Sequence, residues 1–362
     1  MKRGAMNRCA SSRRRARLRG ITITEVLVLA ACVSVLVAMG VPMFQRVGCN
    51  AMRDVSRANL AVLAQAHAMY AADWNGRQYT MVPDTLGANN GNFSTWETVN
   101  GCVPQVLLGT DSQGVSHFAG TQCASADVRL KQNWLKPLDF ARPTTAGSHR
   151  LSNARMVNEY VNGRFYDARF YAPDDPLLGE DARAVIDGGG DFEDLRSGIV
   201  LSTYSYSPAA MFDPRVFGFG VGPQFFNPNT SAGLQGFGYR SPTVSQCVHP
   251  SLKTRIMEMH AIELAPDDCN PSNTQECVPY QWNQSYRSRP LTAFFDGSVR
   301  ITTPREFMFA ESRETVVPRL WLRGTPYGQF GVGGDQAADF FVKTSAHFLT
   351  TFGIAGRDTL AY

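Results

Sequence analysis

The stretch Gly20-Ile-Thr-Ile-Thr-Glu25, followed by the uncharged run from Val26 to Phe44, decides how this chain is organised. The run is 19 residues long. As a helix rising ~1.5 Å per residue it reaches ~28 Å, about the thickness of a bilayer's hydrocarbon core, so a membrane-spanning helix is expected over 21–44. In front of it, residues 1–20 carry eight basic residues and no acid. The positive-inside rule then keeps this end cytoplasmic and exports the remainder, which predicts a single-pass protein of the inner membrane with its C-terminal domain periplasmic or extracellular. Glu25 breaks the pattern. A carboxylate at the start of a membrane helix costs several kcal/mol unless something pairs with it, which marks it as a candidate functional residue.

Gly20, the segment Ile-Thr-Ile-Thr-Glu25 and Pro42 near the far end of the run together resemble the cleavage and methylation segment of type IV pilins and type II secretion pseudopilins. The resemblance covers roughly 25 residues, and it is carried by leader, glycine, glutamate, apolar run and proline occurring together. It implies that a prepilin peptidase cuts between Gly20 and Ile21 and that the new amino terminus is N-methylated. Glu25 is then the fifth residue of the mature chain and Pro42 the twenty-second. Ile21 departs from the family, where phenylalanine or methionine is usual. The physical reading of Glu25 agrees with the resemblance. In a bundle of staggered helices a buried carboxylate can meet the positive amine at Ile21 of an adjoining subunit and fix the register of assembly. Two other readings compete for the stretch: an ordinary signal anchor, and a lipoprotein acylated at Cys32 of Leu29-Ala-Ala-Cys32. Against the lipoprotein, the apolar run continues twelve residues beyond Cys32.

The leader also distorts the charge. It holds eight of the 35 Lys and Arg and none of the 31 Asp and Glu, so the mature chain has 27 basic against 31 acidic residues, a net of −4. That removes the electrostatic case for binding nucleic acid. Beyond the membrane run lie Cys49, Cys102, Cys123, Cys247, Cys269 and Cys277, an even number, as expected in an oxidising compartment. Proximity favours Cys102–Cys123 and Cys269–Cys277 as disulfides and leaves Cys49 with Cys247. No Cys-x-x-Cys knuckle is present, so a metal site is not expected.

Past Pro42 the helix is expected to continue to Trp74, where Asn75-Gly76 stops it. Met52, Val55, Asn59, Val62, Ala66 and Met69, with Leu63 and Tyr70 beside them, form its apolar face, so 45–76 reads as an amphipathic continuation of the stem. The rest, 77–362, reads as one exported α+β domain. Its apolar segments include Val103 to Leu108 and Val128 to Leu135. A short helix is expected from Ser152, as cap, to Val161. Strands are expected at Ile199 to Tyr206 and Thr254 to Ile262, and a terminal amphipathic helix at Asp335 to Phe352. Asp187-Gly-Gly-Gly-Asp191-Phe-Glu-Asp194 invites a calcium reading, but its spacing does not fit an EF-hand, and a solvated acidic loop explains it better. The clearest hairpin is Leu291 to Ile301 around Asp296-Gly297, read as a two-residue turn requiring positive φ. It also resembles the closing motif of a prepilin-type group with a His-x9-Asp-Gly signature, except that Tyr286 stands where that group has histidine. Asp296 therefore reads as a turn residue.

No phosphate loop, nucleophile elbow or His-Glu-x-x-His motif occurs, and the six histidines are scattered. The expectation is a non-enzymatic pilin-like or pseudopilin subunit without cofactor, partnered by prepilin peptidase, other pilin-like subunits and the inner membrane. Its fold is expected to be a long helical stem on an antiparallel-sheet domain. The alternative is a membrane-tethered protein that binds a ligand such as carbohydrate on Trp96, Trp134, Trp282 or Trp321. An open groove displaying two indole rings would favour it, and buried rings would be core.

Overall fold

The computed structural model describes residues 22–103, 105–121, 127–141, 146–176, 178–193, 195, 198–219, 224–260, 286–314, 320–322, 324–327 and 344–360; for 25 and 36–49 it describes the backbone alone. The chain divides into two units, Met1–Ala51 and Met52–Tyr362. Helix α1, Ile23–Asp73, contributes to both. It ends where the sequence says it must. Asn75 and Gly76 take left-handed φ values of 55° and 77°, and the Gly76 N–H donates back to the Ala71 carbonyl.

In the first unit the described side chains of α1 are exposed and mostly apolar, with Ile23 81%, Leu27 63% and Leu29 67% exposed. Among the described residues no helix is long and apolar enough to cross a membrane. The side chains at 36–44, which complete the expected membrane run, lie outside the described residues.

The second unit is mixed α and β. After α2, Phe93–Asn100, come β1, Val106–Thr110, β2, Ser116–Gly120, and β3, Val128–Lys131. These form a sheet in the order β1-β2-β3, the first pair antiparallel and the second parallel. Short helices α3, Arg155–Asn158, and α4, Glu180–Gly188, follow. A second sheet is wholly antiparallel: β4, Tyr204–Tyr206, β5, Thr254–Glu258, β6, Leu291–Phe294, and β7, Val299–Ile301, in sequence order. Helix α5, Pro304–Arg313, is capped by Thr303, whose hydroxyl accepts the Glu306 N–H at 3.2 Å.

Register explains how α1 docks. Tyr204 pairs with Glu258 and Tyr206 with Ile256. Directly opposed residues share a face, so these four side chains form one surface of the second sheet. Residues 52–73 lie against that surface. Leu60 and Leu63 are fully buried there, each contributing roughly 1.5–3 kcal/mol. Tyr70 meets Tyr79 edge-on at 6.0 Å, and Tyr79 in turn contacts Tyr206 at 5.4 Å.

Several expectations are corrected. The buried face of α1 keeps the expected Asn59, Leu63, Ala66 and Tyr70 and adds Ser56, Leu60 and His67, whereas Met52, Val55 and Met69 are exposed. The face is rotated because its polar members find partners in the sheet. The helix expected from Ser152 shrinks to α3, with Ala154 as its N-cap, because the Ser152 hydroxyl is drawn to the Tyr204 carbonyl instead. Of the expected terminal helix, 335–343 lies outside the described residues and 344–352 forms turns, with positive φ at His347 and Phe352. Its apolar residues Ala346, Phe348 and Leu349 are core all the same. The strand expected from Ile199 begins only at Tyr204.

Candidate functional site

The expected processing residues Gly20 and Ile21 lie outside the described residues. Glu25 and Pro42 fall within α1, and their side chains lie outside the described set. Of the cysteines, Cys102 is disulfide-bonded. Cys123, Cys269 and Cys277, and the Cys49 side chain, lie outside the described residues. Cys247 corrects the expectation. Its thiol is free, so the pairing with Cys49 is not made. Instead it packs against Ala210, Phe295 and Ile354, and burial raises its pKa.

The hairpin stands where the sequence puts it, but its turn differs. Only Gly297 has positive φ, at 85°. The Gly297 N–H donates to the Phe294 carbonyl and the Phe294 N–H to the Ser298 carbonyl, which makes a three-residue loop with a left-handed glycine. Asp296 Oδ1 accepts both the N–H and the hydroxyl of Ser298, at 2.9 and 2.7 Å, so its role is to hold the turn.

Within the acidic stretch, Asp191 is likewise structural. Asp191 accepts the N–H groups of Phe165 at 2.7 Å and Thr110 at 2.9 Å, and it pairs with Arg155 at 2.8 Å. It thereby ties β1 to α3 and is neither a solvated residue nor part of a metal cluster; no such cluster occurs among the described residues.

Three polar constellations are buried in the second unit. At the seat of α1, the Ser56 hydroxyl bridges Tyr204 Oη at 2.8 Å and the Glu258 carboxylate, while Asn59 Nδ2 donates to the Ala168 and Tyr171 carbonyls at 3.3 Å. Glu258 Oε2 accepts the Leu291 N–H at 2.8 Å, and burial pushes its pKa up. On the edge of β2, His117 lies between Asp111, 3.0 Å from Nε2, and Asp127, 2.6 Å from Nδ1, with Phe192 stacked on it at 4.5 Å. The third joins the chain's last turns to β5. Lys253 Nζ donates to Ser207, Thr350 and Asp358, each at 2.8 Å, and Asp358 also accepts the Thr254 and His347 N–H groups. All three donors of this fully buried ammonium are satisfied, so the pair is part of the core.

The tryptophans separate. Trp321 is core, at 3% exposed, and Trp134 packs against the core. Trp282 lies outside the described residues. Trp96, on α2, opens onto a groove of about 520 Å³ whose other indole is Trp74, the residue that follows α1. Reading the sequence missed Trp74 as a site residue because it sits beside the helix stop; only the fold brings it near α2. Compared with known proteins, the chain matches no family model, no curated protein and no solved structure.

Proposed function

We propose that this chain is a non-enzymatic, pilin-like subunit, either a minor pilin or a pseudopilin. In this reading prepilin peptidase removes residues 1–20, the domain is exported, and the amino-terminal half of α1 holds the subunit in the inner membrane and then in a filament with other such subunits. The observation that carries the reading is the division of α1. The described residues of its first part include Ile23, Leu27, Leu29 and Val33 as exposed apolar side chains, whereas 52–73 is seated on an antiparallel sheet through Ser56, Leu63 and His67. A helix that is apolar on its outer surface requires lipid or other helices around it. Turnover finds less support, since the buried His67, His149 and His347 are closed off from any substrate.

Glu25 tests the assembly half of the proposal. Glu25→Val leaves the Ile21 amine of the neighbouring subunit unpaired in a low-dielectric core, at a cost of roughly 3–5 kcal/mol. Leader removal is expected to proceed normally while the amount recovered in the assembled, shearable fraction falls at least about tenfold. Incorporation equal to the unsubstituted chain would overturn the proposal.

A further inference from the structure

The groove between Trp74 and Trp96 has the chemistry of a sugar site. Its floor is apolar, formed by Met81, Val82, Leu107 and Met156. Trp96 is fixed at its polar edge, where Nε1 donates to Thr85 Oγ1 at 3.0 Å, and beside Trp74 the Tyr160 hydroxyl donates to Asp73 at 2.8 Å. Tyr70 stacks on Trp74 at 5.6 Å and 16°, yet Trp74 remains 51% exposed. With the Trp96 N–H engaged and Trp74 stacked on Tyr70, the rings offer a ligand mainly their free faces, and because they are already held, binding costs little side-chain entropy.

The groove's polar groups narrow the ligand further. Arg155 is neutralised by Asp191 and also donates to the Gly163 carbonyl. Gln105 gives its amide N–H to the Thr121 carbonyl, which leaves Oε1 as an acceptor. Glu159 stands exposed, with no ion-pair partner among the described residues. Together these supply acceptors for hydroxyl groups and an uncompensated negative charge that repels anions. Aromatic faces suit the C–H faces of a pyranose, whose hydrogens carry partial positive charge, and they suit best a sugar with all-equatorial hydroxyls, which leaves those faces free. The volume falls within the ~300–1,000 Å³ usual for small-ligand sites and is sufficient for a short oligosaccharide.

We infer that this groove binds a neutral glycan of gluco configuration. The groove is built wholly from residues of the second unit, so the inference stands whether or not residues 1–20 are cleaved.

The test is calorimetric titration of the full chain in detergent with cellohexaose and with chitohexaose, using oligogalacturonate as the anionic control, alongside tryptophan fluorescence. Saturable binding of at least one neutral oligomer is expected, with the control inert. Trp74→Ala and Trp96→Ala should each weaken binding about tenfold, equivalent to ~1.4 kcal/mol per ring. Trp96 also packs against the core, so Trp74→Ala and Trp74→Phe, at a half-exposed ring, carry the test apart from folding. Trp74→Phe should retain most of the affinity. The inference is overturned if neither neutral oligomer binds at up to about 10 mM, if Trp74→Ala binds as tightly as the unsubstituted chain, or if apolar peptides bind in place of sugars.

Discussion

His67, His149 and His347 each sit in the interior of the second unit, at 1%, 0% and 0% exposed. Burial disfavours the imidazolium and lowers all three pKa values, to about 3 for His149 and His347; Arg255, Arg150 and Lys253 respectively add charge repulsion. A base with a depressed folded-state pKa binds fewer protons folded than unfolded. Its stabilising contribution is therefore complete above the unfolded pKa of ~6.5 and is lost as pH falls toward 3. Asp358 acts in the same direction lower down. Burial alone would raise its pKa, but Lys253 and the Thr254 and Thr350 hydroxyls outweigh that and hold it at about 2. Glu258, with its raised pKa, works the opposite way and costs stability as pH rises above the ordinary carboxylate range. Denaturant titrations in detergent should give a stability that is flat above about pH 7 and falls below pH 6.5, steepest between about pH 6 and 4, at up to ~4 kcal/mol per pH unit. His149→Gln should remove about a third of that slope. A stability unchanged between pH 7 and 4 would contradict these assignments. None of this was legible in six scattered histidines, because burial depends on contacts between residues as distant as His67 and Tyr206, whose ring centroids lie 4.4 Å apart.

The elements were more legible where local chemistry decides them. Asn75-Gly76 ends α1 and Asp296-Gly297 turns the hairpin, each through backbone preferences carried by a few adjacent residues. The face of α1 was misread by about one position, because apolar count alone favours Met52, Val55 and Met69. The docked face keeps the expected Asn59 and adds Ser56 and His67, which find partners in Tyr204, Tyr206 and Glu258 of the sheet, while Asn59 also donates to the Ala168 and Tyr171 carbonyls. This yields a direct comparison. Leu63→Ala empties a fully buried position and should cost about 2–5 kcal/mol, whereas Val55→Ala, at a side chain 51% exposed, should change stability by no more than ~0.5 kcal/mol. Equal losses at the two positions, measured by thermal or denaturant unfolding, would show that the helix docks by the face read from the sequence. The strand β2 and the turns of 344–352 escaped the reading for a related reason. Their order comes from sheet pairing and from Asp358 at the chain's end, and neither leaves a local periodic signal.

At the scale of the molecule, the sequence shows three parts: a basic stretch, an uncharged run preceded by one acid, and a mixed domain beyond. The mixed α+β class of the second unit is as expected, with two sheets instead of one. The groove between Trp74 and Trp96 was not foreseeable, since five separate segments converge on it. What the functional reading requires above all is a new amine at Ile21. Intact-mass and peptide mass spectrometry of the protein purified from cells with and without prepilin peptidase measures this directly. The account predicts a peptidase-dependent amino terminus at methylated Ile21 and full retention of residues 1–20 in its absence. A chain that begins at Met1 in both cells, or at an acylated Cys32, would contradict it.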